Sequence, residues 1–310
     1  VLLLTFFLAV ILGSRADWPN FRGPHSDNSS PETNLAREWV PGGPEILWTF
    51  LLGPGFAGPA IADGKVYILD RFPTERDMLR CIDIDTGKED WRYAYSAEGR
   101  FSIAGSRSTP TVTDTHVFTV GPLGHFHCIS KETHRPIWEH HLLDDFRGKR
   151  PTWAVSQSPL VYEDKVIVAP QGEVAGVVAY TQAQGLIAWQ THSLGAMSYA
   201  SPSLTTIDGT DQIVMVSDVG LITGIDAKTG KILWDYRQWR CRLPITSPTF
   251  IGDGRIFFTG GYDAGSLMLK VEKKGDGFMA RKLFVTRERG AQVQQPLLFE
   301  GHLYIGSNGN

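Results

Sequence analysis

Cysteine is scarce: Cys81, Cys128 and Cys241 stand alone in a chain of 310 residues. No two are adjacent and none forms a C-x-x-C pair, which excludes a disulfide framework and a zinc knuckle as organising elements. Neither sign of charge is in excess, with 30 Lys and Arg against 33 Asp and Glu and a net charge of −3. Nucleic acid and anionic membrane surfaces are therefore not expected partners. No apolar period of 3.6 residues is sustained, so helices are expected to be short or absent. G-x-S-x-G, a Walker loop and H-E-x-x-H are missing, and with them the common hydrolase, nucleotide-binding and zinc-protease signatures.

What is plentiful is Gly (33), Pro (18) and Trp (9), over a background that is 42% hydrophobic. That composition suits many short strands and turns around a substantial core. Val1–Leu12 is an apolar run, followed by Gly13 and Ser14-Arg15-Ala16. The run is short for a bilayer span and small residues precede a cut after Ala16, so residues 1–16 read as a secretory signal peptide. An uncleaved membrane anchor is the alternative. Neither an initiator Met nor a basic lead precedes the run, so the N-terminus is expected to be truncated. No Cys follows it, which argues against a lipid anchor. The mature chain would be exported, periplasmic or associated with the cell envelope, with no transmembrane span after cleavage. Residues 17–44 then form an N-terminal extension and 45–310 the main domain.

That domain repeats itself. "CIDIDTGKEDW" (Cys81–Trp91), "CISKETHRPIW" (Cys128–Trp138), "AYTQAQGLIAW" (Ala179–Trp189) and "GIDAKTGKILW" (Gly224–Trp234) are copies of one string, and "ILWTF" around Trp48 is a partial copy. Trp48, Trp91, Trp138, Trp189 and Trp234 are 43, 47, 51 and 45 residues apart. Pro59, Pro110, Pro159, Pro202, Pro248 and Pro296 keep a similar period, each leading an apolar stretch, usually a polar turn and a second strand. A period near 45 residues with four strands per unit predicts a β-propeller. Within one unit "TFI" is strand one, Asp253-Gly254 a tight hairpin turn and "RIFFTG" strand two. In the unit before it, "LITGID" and "KILWDY" are strands three and four.

The pattern small-x-Asp-x-x-Thr-Gly-x-x-x-Trp resembles the tryptophan-docking motif of quinoprotein-like (PQQ-like) β-propellers. "DWPNFRGP", "SRSTPTV", "FRGKRPTWAVSQSPLV" and "SPTFIGDGRIFFTGGYDAGSLMLK" are similar to exported PQQ-like repeat proteins of planctomycete type. The resemblance implies that strand one lies innermost and strand four outermost. It also implies a job for each motif position. Gly87, Gly185 and Gly230 would take a left-handed conformation, and Asp83 and Asp226 would accept backbone N–H bonds across the turn. Trp91, Trp138, Trp189 and Trp234 would lie against the neighbouring blade, with small residues at Cys81, Cys128, Ala179 and Gly224 leaving room. Where the motif decays, at His134 and Thr181, looser turns are expected; the fifth unit, "VEKKGDGFMARKLF", lacks the Trp. Five units and the start of a sixth are present. The fold expected is an all-β propeller of seven or eight blades when complete, seen here as a fragment of about five to six, with "EILWTF" (45–50) an outer strand for ring closure. Tight closure with five to six blades is the alternative.

Arg107, Trp153, Gln157, Tyr199 and Gln294 lie just before strand-one segments and are the candidate ligand-binding residues of an axial rim. A quinoprotein alcohol dehydrogenase of this fold would carry PQQ with calcium there, and would be expected to show a vicinal Cys pair that this chain lacks. No loop of calcium-binding spacing stands out either, so no cofactor is expected outside that alternative. "GHFHC" (Gly124–Cys128) sets His125 and His127 on one strand face and Cys128 on the other, with His140-His141 nearby; exposed histidines are expected there, and no metal site. "LLDDFRGKRP" (142–151) reads as a solvated inter-blade loop. The reading adopted is a non-catalytic scaffold binding a protein or small-molecule partner through rim loops or the axial channel. It is distantly similar to the propeller lipoprotein of the outer-membrane barrel-assembly machinery. A periplasmic PQQ-dependent alcohol dehydrogenase and a carbohydrate- or polymer-binding module are the alternatives.

Overall fold

The structure is a computed structural model that describes residues 16–72, 75–218 and 220–306; residues 1–15, and with them nearly all of the signal-peptide reading, lie outside the described residues. Blade 1 comprises β1 (Ala60–Ala62), β2 (Lys65–Phe72), β3 (Arg76–Asp83) and β4 (Glu89–Ser96). Blade 2 comprises β5 (Thr111–Val112), β6 (His116–Val120), β7 (His125–Ser130) and β8 (Pro136–His141). Blade 3 comprises β9 (Leu160–Tyr162), β10 (Lys165–Val168), β11 (Val178–Thr181) and β12 (Ile187–Gln190). Blade 4 comprises β13 (Ser203–Ile207), β14 (Thr210–Val216), β15 (Ile222–Asp226) and β16 (Ile232–Tyr236). Blade 5 comprises β17 (Thr249–Gly252), β18 (Arg255–Gly260), β19 (Gly265–Lys274) and β20 (Gly277–Thr286), and β21 (Leu297–Phe299) and β22 (His302–Tyr304) form a sixth, two-stranded sheet. Each sheet is antiparallel and runs in chain order. The described residues contain no α-helix. This is an all-β propeller.

The first hairpin of blades 1, 4 and 5 and that of the sixth sheet are closed by local sequence. Asp63-Gly64, Asp208-Gly209, Asp253-Gly254 and Glu300-Gly301 all have positive φ at both positions, the geometry that matches the twist of the flanking strands. The Asp side chain tolerates the first position and Gly removes the Cβ clash at the second.

The second hairpin carries the repeated string. Gly87, His134, Gly185 and Gly230 each donate a backbone N–H, at 2.9 Å, to the carbonyl of the residue four before it. Asp83 Oδ1 accepts from the Thr86 N–H and hydroxyl, and Asp226 Oδ1 from the Lys228 and Thr229 N–H groups. Each docked indole lies over the turn of the following blade. Trp48 Nε1 donates to Ile84 O (2.8 Å), Trp138 to Gln182 O (2.8 Å) and Trp189 to Ala227 O (3.2 Å). These three carbonyls occupy the same motif position. A Cβ added at Gly87, Gly185 or Gly230 would come within 2.5, 2.6 and 2.6 Å of the ring, so the glycines serve contact as well as φ.

Three expectations are corrected. The turn at His134 is not looser: the residue takes a φ of 58° and its ring stacks on Trp91 at 4.7 Å, replacing the missing glycine contact with a π-face. The turn at Thr181 keeps the same backbone hydrogen bonds, and its hydroxyl accepts from Leu186 N instead of from the turn. Blade 5 lacks the Trp, as the sequence shows, and carries a Phe at the corresponding register position. Each Trp faces the small residue at a register shift, as Cys81 faces Trp91, and in blade 5 Met268 faces Phe284 at the corresponding shift. The hairpin is longer there, which hides the match from spacing. Finally, Glu45–Phe50 forms no strand, having no strand beside it, although Trp48 docks as the outer-strand indoles do.

The core lies between blades. Phe118, Phe126 and Val120 pack on Val166, Val168 and Tyr180, and Trp189 and Ile167 on Ile213, Met215 and Ile225. Cys81, Cys128 and Cys241 are buried free thiols within this packing.

Candidate functional site

The extension places Asp17–Asn28 in the middle of the ring. Trp18 exchanges two 2.8 Å backbone bonds with Ile61 beside β1, and Pro19 O accepts from Val112 N in β5. Arg22 Nη1 reaches Pro248 O at 2.9 Å, 226 residues away. Phe21, Arg22 and His25 also border a cavity of about 210 Å³ shared with Pro159, Ser201 and Leu204. The segment thus bonds to residues in or just before the first strands of blades 1, 2 and 5 and shares a cavity with those of blades 3 and 4, which places it near the axis where those strands converge. Arg22 is 5% exposed, and burial pushes its guanidinium down to about 10. Gly23 is required, since a Cβ there would meet the Trp18 ring at 2.7 Å.

A chain of hydroxyls ties the blades around this plug. Thr109 N donates to Ser158 Oγ (3.0 Å), Ser158 N to Ser201 Oγ (2.9 Å) and Ser201 N to Ser247 Oγ (3.1 Å). All four residues precede the proline that opens a unit. Proline cannot donate, so the inter-blade bond falls on the residue before it. The repeated prolines drew notice in the sequence; the Ser or Thr in front of them was the missed signal.

Above the plug, three of the five candidate rim residues come together. The Arg107 guanidinium bonds Gly105 O and Ile103 O, both at 2.5 Å, and lies over the rings of Phe56 (5.3 Å) and Phe101 (5.2 Å). Burial lowers its pKa, and the neighbouring Tyr199 works the other way. Tyr199 Oη accepts from Trp153 N at 3.2 Å, and the two rings sit 5.6 Å apart. Gln157 is elsewhere: fully buried, it clamps Ala169 through both amide atoms, at 2.7 and 2.6 Å. Gln294 is exposed beside Gly306, near the sixth sheet. Phe56, Phe101 and Arg150, whose guanidinium is 5.9 Å from the Phe101 ring, complete the rim and carry no sequence mark. The result is a patch of cationic and aromatic side chains, with Arg107 and Arg150 both beside the Phe101 ring.

A second cluster lies between blades 1 and 2. Arg71 and Asp77 form a buried pair at 2.7 Å, and Arg71 also donates to Ala97 O and Gly99 O. Tyr95 packs on His127 at 4.1 Å, His125 and His127 are parallel at 6.3 Å, and His141 meets His125 edge-on at 4.7 Å. The two strand histidines share a face as their spacing requires, but they are not exposed in the manner expected of them. His127 is 2% exposed and His125 half-buried. Burial holds His125 near 4 and His127 near 3, and pushes Asp77 up to about 6 against the pull of Arg71. Among the described residues no three His, Cys, Asp or Glu side chains converge to hold a metal.

The family model described as outer membrane protein assembly factor BamB matches residues 41–122 and 80–310. The chain belongs to that family. It is 20% identical to the outer membrane protein assembly factor BamB of Moranella endobia over 209 residues, 63% of this chain and 49% of that one. It thus spans about half the length of the curated relative it matches. Among solved structures, BamB from Moraxella catarrhalis superposes with a TM-score of 0.59 at 18% identity, covering 84% of this chain and 71% of that one. The quinohemoprotein alcohol dehydrogenase from Comamonas testosteroni gives 0.55 at 15% identity, over 89% and 50%. At such identities the likeness concerns the propeller fold, which the two neighbours share despite different functions.

Proposed function

We propose that the chain is an exported, non-catalytic scaffold of the cell envelope that binds a protein partner through the rim carrying Arg107, Trp153 and Tyr199. The segment near the axis is the observation that carries this reading. Phe21 and Arg22 sit among the first strands of the blades, held by the Arg22–Pro248 bond, which leaves less room for an axial cofactor. Rigid rings with loop-built rims suit partner binding. The family's assembly-factor description supports it as well. For the envelope location, the apolar run before Gly13 and the relatives' outer-membrane description point the same way. No helix of the described residues is long and apolar enough to cross a membrane.

PQQ with calcium does not fit the residues present. The sequence has no vicinal Cys pair, no set of acidic donors converges among the described residues, and the Trp18–Pro19 segment is hydrogen-bonded in place. The test has two arms. A photo-crosslinker replacing Trp153 is expected to give one discrete protein adduct in envelope preparations, lost on adding Arg107→Glu, while a crosslinker replacing Leu186 on an outer turn gives none. Equal adducts from both positions, or an adduct with saccharide alone, overturn the protein-partner reading. Dye reduction with alcohols in the presence of PQQ and calcium would overturn the non-catalytic one.

A further inference from the structure

A groove of about 870 Å³ opens between blades 4 and 5, well away from the axis. One wall is the connection after β16, which contributes Arg237, Arg240 and Arg242; the other is β20 and the residue after it, with Lys282 and Arg287. Only Arg237 has an ion-pair partner among the described residues, Asp235 at 3.0 Å. Asp263 is the one acid lining the groove. This concentration of positive charge sits on a chain whose net charge is −3.

The groove is built rather than incidental. Trp239, 5% exposed, donates its indole N–H to Ala264 O at 3.2 Å and so fastens the connection to the turn opposite. Trp239, Cys241 and Leu267 are buried beneath the groove, while Tyr262 and Val285 are about half exposed at its edge. Tyr262 and Asp263 hold φ values of 53° and 62° in succession, a backbone arrangement that costs free energy and gathers at binding sites.

We propose that this groove binds an acidic polypeptide segment. Four guanidinium groups favour planar, two-oxygen acceptors such as carboxylates. The exposed Tyr262 and Val285 offer contact area to apolar side chains between the acids. β20 is the terminal strand of its sheet, paired only with β19 among the described residues, so a backbone can add along that edge. A long polyanion fits less well, because Asp263 and the half-exposed Tyr262 and Val285 stand among the cations and suit a chain in which acids alternate with apolar side chains. The site lies apart from the axial rim and does not depend on what the rim binds.

The test is fluorescence anisotropy of the full chain with a short labelled peptide alternating Glu and Val. Binding is expected, weakening as salt rises, with no binding of the matched Lys-Val peptide. Arg240→Glu with Arg242→Glu is expected to weaken it at least ~10-fold, and Lys282→Glu on the facing wall to weaken it several-fold. Trp153→Ala in the rim should leave it unchanged. No binding of the Glu-Val peptide overturns the proposal. So does unaltered affinity in both groove variants with unchanged melting temperature, or tighter binding of an oligonucleotide or a sulfated oligosaccharide.

Discussion

Blades 3 and 4 meet mostly across hydrocarbon, with polar bonds such as Tyr162 Oη to Asp211 and Gln171 to Val216 O at its margins, whereas blades 1 and 2 meet across hydrocarbon at one end and a cluster of buried ionisable groups at the other. In the first interface Tyr162, Ile167 and Trp189 pack on Ile213, Met215 and Ile225. In the second, Leu79, Cys81 and Val117 make a similar apolar cluster, and beside it lie Arg71, Asp77, Tyr95, His125 and His127. Both interfaces carry a docked indole at the outer turn. The difference teaches that the repeated string fixes the outer seam of each blade pair, while the interior of the pair is free to change character.

The sharpest way to break the comparison is the buried ion pair. Arg71→Met leaves Asp77 buried and unpaired and is expected to cost about 3–5 kcal/mol in urea unfolding, with Arg71→Met/Asp77→Leu recovering most of it. Failure of the double variant to recover would mean that the pair does more than neutralise itself. Next comes Trp189→Ala in the more apolar interface, expected to cost about 3–4 kcal/mol. Trp91→Ala should cost less, since Trp91 is less buried and is held by the His134 ring. An equal loss at both would erase the distinction.

Acid should sharpen it. His125 and His127 have folded pKa values near 4 and 3, below the ordinary 6.5, because burial disfavours their charged forms. The unfolded chain therefore takes up protons that the native chain does not, so their stabilisation is full above 6.5 and lost as pH falls towards the folded values. Asp77, pushed up to about 6 from 3.8, offsets part of this between those two values, where the native chain takes up the proton first. Two histidines outweigh one aspartate, and stability is expected to drop on the order of 2 kcal/mol from about pH 7 to 5. His125→Gln/His127→Gln should flatten that slope; a variant slope as steep as the parent's would sink the assignment. The smallest effect is expected at the odd turn. His134→Gly relieves a positive φ and loses a stack, for a net change within about 1 kcal/mol, whereas His134→Ala loses the stack without the relief and should cost more.

The outer seam was legible because it is local. Asp226, Gly230 and Trp234 sit within one hairpin, and their spacing reports a turn, a left-handed residue and a ring. Phe284 escaped the same reading only because its hairpin is longer and shifts the ring along the sequence. Of the rim, Arg107, Trp153 and Tyr199 could be picked out by their place before strand one, but Gln157 at an equivalent place turns inward to Ala169. Position along the chain locates a residue near the axis; it does not say which way the side chain points.

By itself the sequence determined the architecture: the period, the strand order within each blade, the hairpin turns and the docked indoles. Each of these is an interaction between residues close in the chain, or between neighbouring copies of one unit. Only the tertiary structure decided what the centre and the seams contain. Arg22 finds Pro248 across 226 residues, His127 meets Tyr95 from another blade, and five cations from two blades line one groove. Those contacts depend on how the ring brings distant units together, and no repeat in the chain encodes them.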